Sequence, residues 1–177
     1  MCLVEVEGCG VDQKDNMGAT PLAWATGNGH EAVVELLLSR ADIDPNKPDE
    51  DGQTPLIRAA NHGLGRVVKM LLGRDDVNPD KSDNWGHTPL IRAAVMGYVG
   101  VVEILLGRDD VNPNRTDEEG RTPLAWAARG GHKAVVKVLL GQDDIDPDIP
   151  SQSGRTPLMR AAGGGYGGIV GGSCTIR

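Results

Sequence analysis

Apolar and polar positions alternate along this chain between two textures. Runs such as Glu31-Ala-Val-Val-Glu-Leu-Leu-Leu38, Gly65 to Leu72, Val99 to Leu106 and Lys133 to Leu140 place Val and Leu at helical spacing. In the first run Val33, Val34, Leu37 and Leu38 form one stripe, repeated as Val67, Val68, Leu71 and Leu72 in the second and likewise in the next two. One short helix has nothing to bury such a stripe against. The pattern therefore predicts helices leaning on one another, each buried Val or Leu contributing about 1.5–3 kcal/mol relative to exposure. Between the runs lie polar, Pro-bearing stretches, Ala41 to Gly52, Asp75 to Gly86 and Asp109 to Gly120, too rich in breakers to be helical. These predict hairpin-like loops closed by Gly52, Gly86 and Gly120, where a positive φ costs little.

Both textures recur with a fixed period. Thr-Pro-Leu begins at Thr20, Thr54, Thr88, Thr122 and Thr156, each 34 residues after the last. Ala25, Ala59, Ala93, Ala127 and Ala161 keep step, as do Gly29, Gly63, Gly97, Gly131 and Gly165. Each copy opens a first helix with Thr as N-cap and Pro at the first helical position, and Gly ends it. The chain is a repeat array. In the fifth copy the second helix gives way to Gly-Gly-Gly-Tyr-Gly-Gly-Ile-Val-Gly-Gly-Ser. Gly costs about 1 kcal/mol per helical position relative to Ala, so fraying is expected after about residue 166. Residues 1–11 read as the remnant of an earlier copy, 12–166 as the array and 167–177 as a Gly-rich frayed tail, both ends resembling cut surfaces of a longer array.

Thr-Pro-Leu-x-x-Ala-Ala, then Gly-His and Val-Val-x-x-Leu-Leu, as in Thr122 to Leu140, resembles the ankyrin repeat over about residues 12–166. The copies reading Thr-Pro-Leu-Ala-Trp-Ala are also similar to arrays in large multidomain fungal proteins. The resemblance implies an all-α solenoid of stacked helix-turn-helix units joined by hairpin-like loops. The usual ankyrin period is about 33 residues, so one extra residue per copy is assigned to the Asp-Asp-Val-Asn-Pro connector. The His that usually follows Thr-Pro-Leu is replaced here by Ala23, Ile57, Ile91, Ala125 and Met159.

Composition narrows the function. With 25 acidic against 18 basic side chains and a net charge of -7, the chain argues against a nucleic-acid partner, which needs a surplus of Lys and Arg. Aromatics are 3% with no Phe, so the core must be built from Leu, Val, Ile and Ala. Cys2, Cys9 and Cys174 make no disulfide framework, and an intracellular setting, cytoplasmic or nuclear, is expected. No apolar run approaches the roughly 18 residues of a membrane span, so no membrane partner is expected.

The chemistry-bearing residues do not converge. Gly163, Gly165 and Gly168 form a G-x-G-x-x-G, but a helix precedes it and no acidic ribose partner follows. His30 and His132 share a column and read as turn residues packing between helices, while His62 and His87 fall in different columns, too far apart for a metal. Asp49, Asp83 and Asp117 repeat at the 34-residue period, so each serves its own loop rather than one reaction centre. Neither catalysis, metal nor cofactor is expected. Trp24, Arg58, Arg92, Trp126 and Arg160 share a column; stacking sets Trp24 beside Arg58 and Arg92 beside Trp126, with Trp filling core and Arg pairing with loop acids. A cation over an indole face would add about 0.5–1 kcal/mol. Glu35, Lys69, Glu103 and Lys137 alternate in sign, predicting opposite charges face to face across neighbouring helices.

What remains is surface. The resemblance places a binding face on the concave side, at loop tips and the ends of first helices. There the third copy carries Trp85, Val95 and Met96, apolar where polar residues would serve, with His87 at the same loop tip and Asn61 and His62 at the end of the preceding first helix. Glu50, Asp51, Glu118 and Glu119 form an acidic rim, with Arg121 and Arg129 beside it. The chain reads as a non-catalytic scaffold, a monomer unless part of a longer chain, binding a protein or peptide segment that is basic with an apolar anchor. The alternatives are a docking or sensor segment of a larger enzyme or signalling receptor, and a structural spacer.

Overall fold

A computed structural model describes residues 10–171. The remnant expected at residues 1–9 and the tail at 172–177 lie outside the described residues. Five helix pairs follow in chain order: α1 (Pro21–Gly27) and α2 (Glu31–Leu38), α3 (Pro55–Asn61) and α4 (Gly65–Leu72), α5 (Pro89–Met96) and α6 (Val99–Leu106), α7 (Pro123–Gly130) and α8 (Lys133–Leu140), α9 (Pro157–Gly163) and α10 (Gly167–Val170). No strand occurs among the described residues.

Each first helix starts where its sequence says. Thr54 has an extended backbone, its Oγ1 accepts the Ile57 amide at 3.2 Å, and Pro55 takes the position whose missing N–H costs nothing. Thr20, Thr88, Thr122 and Thr156 do the same. The turn after α5 needs glycine on two counts: Gly97 has φ 75°, and a Cβ there would lie 2.5 Å from His132 Nδ1. His132 fills that space, its Nε2 2.9 Å from the Val95 carbonyl, so it packs between helices as expected. In the first copy His30 is exposed.

The apolar stripes close into one core running through all five copies. Leu56, Val68, Leu71, Leu90, Val102, Leu105 and Leu139 are fully buried. Ile57, Ile91, Ala23 and Ala125 are buried in the column the resemblance assigns to His, whereas Met159 is 59% exposed. Val33 departs from its column at 45% exposure, since no described helix packs on that side of α2. The first helices stack on one another more extensively than the second helices do, so the array curves toward the first-helix row and the loops. Helix also persists past residue 166, because Tyr166 packs against Gly131 and Ile169 reaches the core at 5% exposure; α10 is nonetheless one turn, half the length of α8.

Connectors carry their own clamps. The Arg74 guanidinium forks onto Asp76 at 2.9 and 2.6 Å and donates to the carbonyls of Leu38 and Arg40 in the preceding copy. Arg108 repeats this with Asp110 and the Leu72 carbonyl. The sign alternation on the second helices produces no ion pair: Glu35, Lys69, Glu103 and Lys137 are exposed, where pairing in water gains little, and α2 and α4 are bridged instead by Glu31 and Arg66 at 2.9 Å.

Truncating the core at Leu71→Ala should cost about 2–5 kcal/mol in urea-monitored unfolding, and Gly97→Ala should also destabilise, through both its backbone and the displaced His132.

Candidate interaction surface

The loop side of the array is organised by one aspartate in each of the first four copies, Asp15, Asp49, Asp83 and Asp117. Asp49 is 7% exposed; its Oδ1 accepts the amides of Asp51 and Gln53 at 3.0 and 2.8 Å, holding the loop tip in a turn. Its Oδ2 accepts Nε and Nη2 of Arg58, nine residues on, at 3.1 and 2.6 Å. Asp83 does the same with the amides of Trp85 and His87 and with Arg92. In the first and fourth copies an indole replaces the guanidinium: Trp24 Nε1 donates to Asp15 at 2.7 Å and Trp126 Nε1 to Asp117 at 2.9 Å. The repeated carboxylate thus serves its own loop, and the Trp/Arg column is its partner.

Electrostatics follow from this crowding. Burial acts to raise the Asp117 carboxyl, but the Arg121 amide, the Arg121 guanidinium and the Trp126 indole together hold it below the usual carboxylate value. His87 sits between two loops, its Nδ1 3.5 Å from Asp83 Oδ2 and its Nε2 3.7 Å from Asp117 Oδ2, with its ring edge toward Trp126. Burial, aided by the charge of Arg92, lowers its pKa despite those two carboxylates. It is a wedge within the fold rather than a rim residue.

Trp126 is half-buried between two cations, Arg121 at 4.1 Å and Arg129 at 5.1 Å from the ring centre. The expected pairing with Arg92 does not form, because Asp83 draws Arg92 back to its own loop, where it lies 5.8 Å from Trp85. Nor does Trp24 fill core; it is 52% exposed. Among the residues read as a binding face, Trp85 and Met96 are each 46% exposed. They stand at opposite ends of α5, whose eight residues rise about 12 Å. Val95 is half-buried beside the contact its carbonyl makes to His132. Asn61 is half-buried, and His62 is exposed with Nδ1 2.8 Å from the Arg58 carbonyl at the end of α3.

The acidic rim is smaller than four carboxylates. Glu50, Asp51, Glu118 and Glu119 are all exposed, but Glu119 is paired with Arg121 at 2.6 Å, which leaves three without a cation beside them among the described residues. Arg121 also binds Asp117 at 2.8 Å and keeps only 11% of its side chain exposed, so it belongs to the loop architecture. Arg129 is exposed. Two further arginines, Arg155 and Arg160, line a pocket with Arg129. The constant nine-residue spacing from the Asp column to the Trp/Arg column was the signal in the sequence that ties these side chains together. Gly163, Gly165 and Gly168 fall on a helix–turn–helix segment, where no strand precedes them. No group of three or more His, Cys, Asp or Glu suited to a metal occurs among the described residues, and no helix there is long and apolar enough to cross a membrane.

Paired antiparallel helices, Thr-Pro starts and hairpin-like loops on one side define a helical repeat solenoid. Family models for ankyrin repeats match residues 17–50, 41–117 and 108–170, and the chain belongs to the ankyrin repeat family. No curated protein matches it. Ankyrin repeats are general protein–protein interaction modules and are typically non-catalytic.

Asp83→Asn should cost about 3 kcal/mol in denaturant unfolding, since it leaves the partly buried Arg92 without its counter-charge. Because the His87 pKa is lowered in the folded state, folding favours its neutral form. Its contribution is complete above the unfolded value of 6.5 and is lost as pH falls below it. His87→Gln should therefore flatten the loss of thermal stability as pH falls below about 6.5.

Proposed function

We propose that this chain is a non-catalytic scaffold that binds another protein or a peptide segment on the curved face formed by its loop tips and first helices. Trp85 and Met96 act as the apolar contacts, with Val95, Asn61 and His62 between and beside them. Glu50, Asp51 and Glu118 favour a basic stretch of the partner over the second to fourth copies. The observation that carries this reading is the half-exposed Trp85, held up by a loop whose backbone Asp83 has already ordered. Loop rigidity matters because little entropy is then lost when a partner docks. His87 and Arg121 contribute by positioning the loops, and Arg129 by presenting a cation beside Trp126.

The test compares affinity capture from cell lysate, read by mass spectrometry, between the wild type and the double variant Trp85→Ala, Met96→Ala. Partners recovered by the wild type should be lost or weakened by about 30-fold, the equivalent of roughly 2 kcal/mol at an aromatic anchor. An unchanged partner list would favour a passive spacer.

A further inference from the structure

The fifth copy breaks the rule that governs the loop side elsewhere. Where copies two and three place Asp49 and Asp83 against an arginine nine residues on, this copy has Ser151 against Arg160. Ser151 Oγ accepts from Arg160 Nη2 at 2.7 Å and also bonds Ser153 Oγ at 3.1 Å and the Arg155 carbonyl at 3.2 Å, while Arg160 Nε is buried with no hydrogen-bond partner. The guanidinium keeps its place in the fold but loses its internal counter-ion. Around it stand Arg129 from α7 and Arg155 from the loop tip, and together with Met159, Gly163 and Gly164 the three arginines line one pocket. None of the three forms an ion pair among the described residues. Burial and the like charges of Arg121, Arg129 and Arg155 lower the Arg160 pKa, opposed by Glu119. A chain of net charge -7 thus gathers unneutralised positive charge at one point of its loop side.

We propose that the Arg129–Arg155–Arg160 pocket is a docking site for a carboxylate side chain of an acidic peptide segment, supplied in trans where other copies supply Asp in cis. Guanidinium forks match carboxylates, and two copies of this chain already demonstrate that pairing in the same column. The guest carboxylate meets the outward N–H edges of the guanidiniums, since Arg160 Nε itself is covered. Open space at the Cβ position of Gly163 leaves room for the guest main chain. The proposal rests on the loop side being the binding face but does not require the Trp85 anchor.

The test titrates a fluorescein-labelled peptide in which Asp and Glu alternate with Gly and Ser, and a control peptide with Asn and Gln in their places, against the full chain. Wild type should bind the acidic peptide and not the amide control, with affinity falling as salt is raised. Arg155→Gln with Arg129→Gln should weaken binding by about tenfold or more, with the thermal midpoint monitored as a folding control. Ser151→Asp is the more telling variant, since it leaves all three pocket arginines unchanged: it should raise the thermal midpoint by giving Arg160 its counter-ion while weakening the acidic peptide by a similar factor. Equal binding of acidic and amide peptides, or undiminished binding by Ser151→Asp with a raised midpoint, overturns the proposal. Binding retained by Trp85→Ala, Met96→Ala is expected, so failure here and failure of the apolar anchor are separate results. Displacement by millimolar inorganic phosphate as effective as by free acidic peptide would mean a general anion site and would also overturn it.

Discussion

The loop side of this solenoid depends on one carboxylate doing two jobs in each of four copies. Through Oδ1 it closes a turn across the amides two and four residues on, and through Oδ2 it fastens that turn to the first helix nine residues on. Neither bond alone would hold the tip. A turn capped only by itself is free to swing, and a helix side chain without a buried acceptor would turn out to water. Joined at one group, each makes the other worth forming; Asp49, Asp83 and Asp117 are buried with an arginine to balance their charge, whereas Asp15 is exposed and has only the Trp24 indole. The tip residues between, Trp85 among them, are consequently presented by an ordered backbone.

Order within a copy becomes order along the array through the main chain of the tips. The amides of Glu50, Asn84, Glu118 and Gln152 each donate to a carbonyl in the preceding tip, at 2.9–3.2 Å. Below them the left-handed glycines accept a side chain of the following copy, as His132 under Gly97 and Tyr166 under Gly131. Stability in such a stack is a sum of copies and their interfaces, so a substitution acts on its own unit and its neighbours first. The asymmetry between the tightly stacked Ala-rich first helices and the bulkier second helices supplies the curvature that gives the loop side its concave character.

Much of this was legible in the residues. The bounds of α2, α4, α6 and α8 coincide with the runs chosen by apolar spacing, and Thr-Pro marks every first helix, because capping and burial are local and repeat. What escaped was set by competition between side chains. The pairing of the column arginines with loop acids was legible, but Arg92 does not also reach Trp126 in the next copy, because Asp83 holds it at its own loop. Glu119 stays exposed but shares Arg121 with Asp117, and the sign alternation on the second helices yields no ion pair. The Gly-rich end kept a turn of helix because a single Ile169 finds the core, a tertiary contact that outweighs propensity.

The same competition explains why the loop side carries two signs of charge. Where the column residue is Asp and its partner Arg, the pair is neutral and disappears from the surface. With Trp as the partner, the carboxylate of Asp117 recruits Arg121 instead, which removes that arginine from solution and leaves Arg129 resting on the indole face. Once the acid itself becomes Ser151, the arginine is retained with nothing to balance it, and the positive charge that the other copies conceal is left facing outward. Exposed Glu50, Asp51 and Glu118 lie over the middle copies and the arginines over the last, so polarity runs along the array. The uncovered arginine at the last copy follows from the loss of one member of that internal ion pair, whereas the acids over the earlier copies are loop-tip residues outside it.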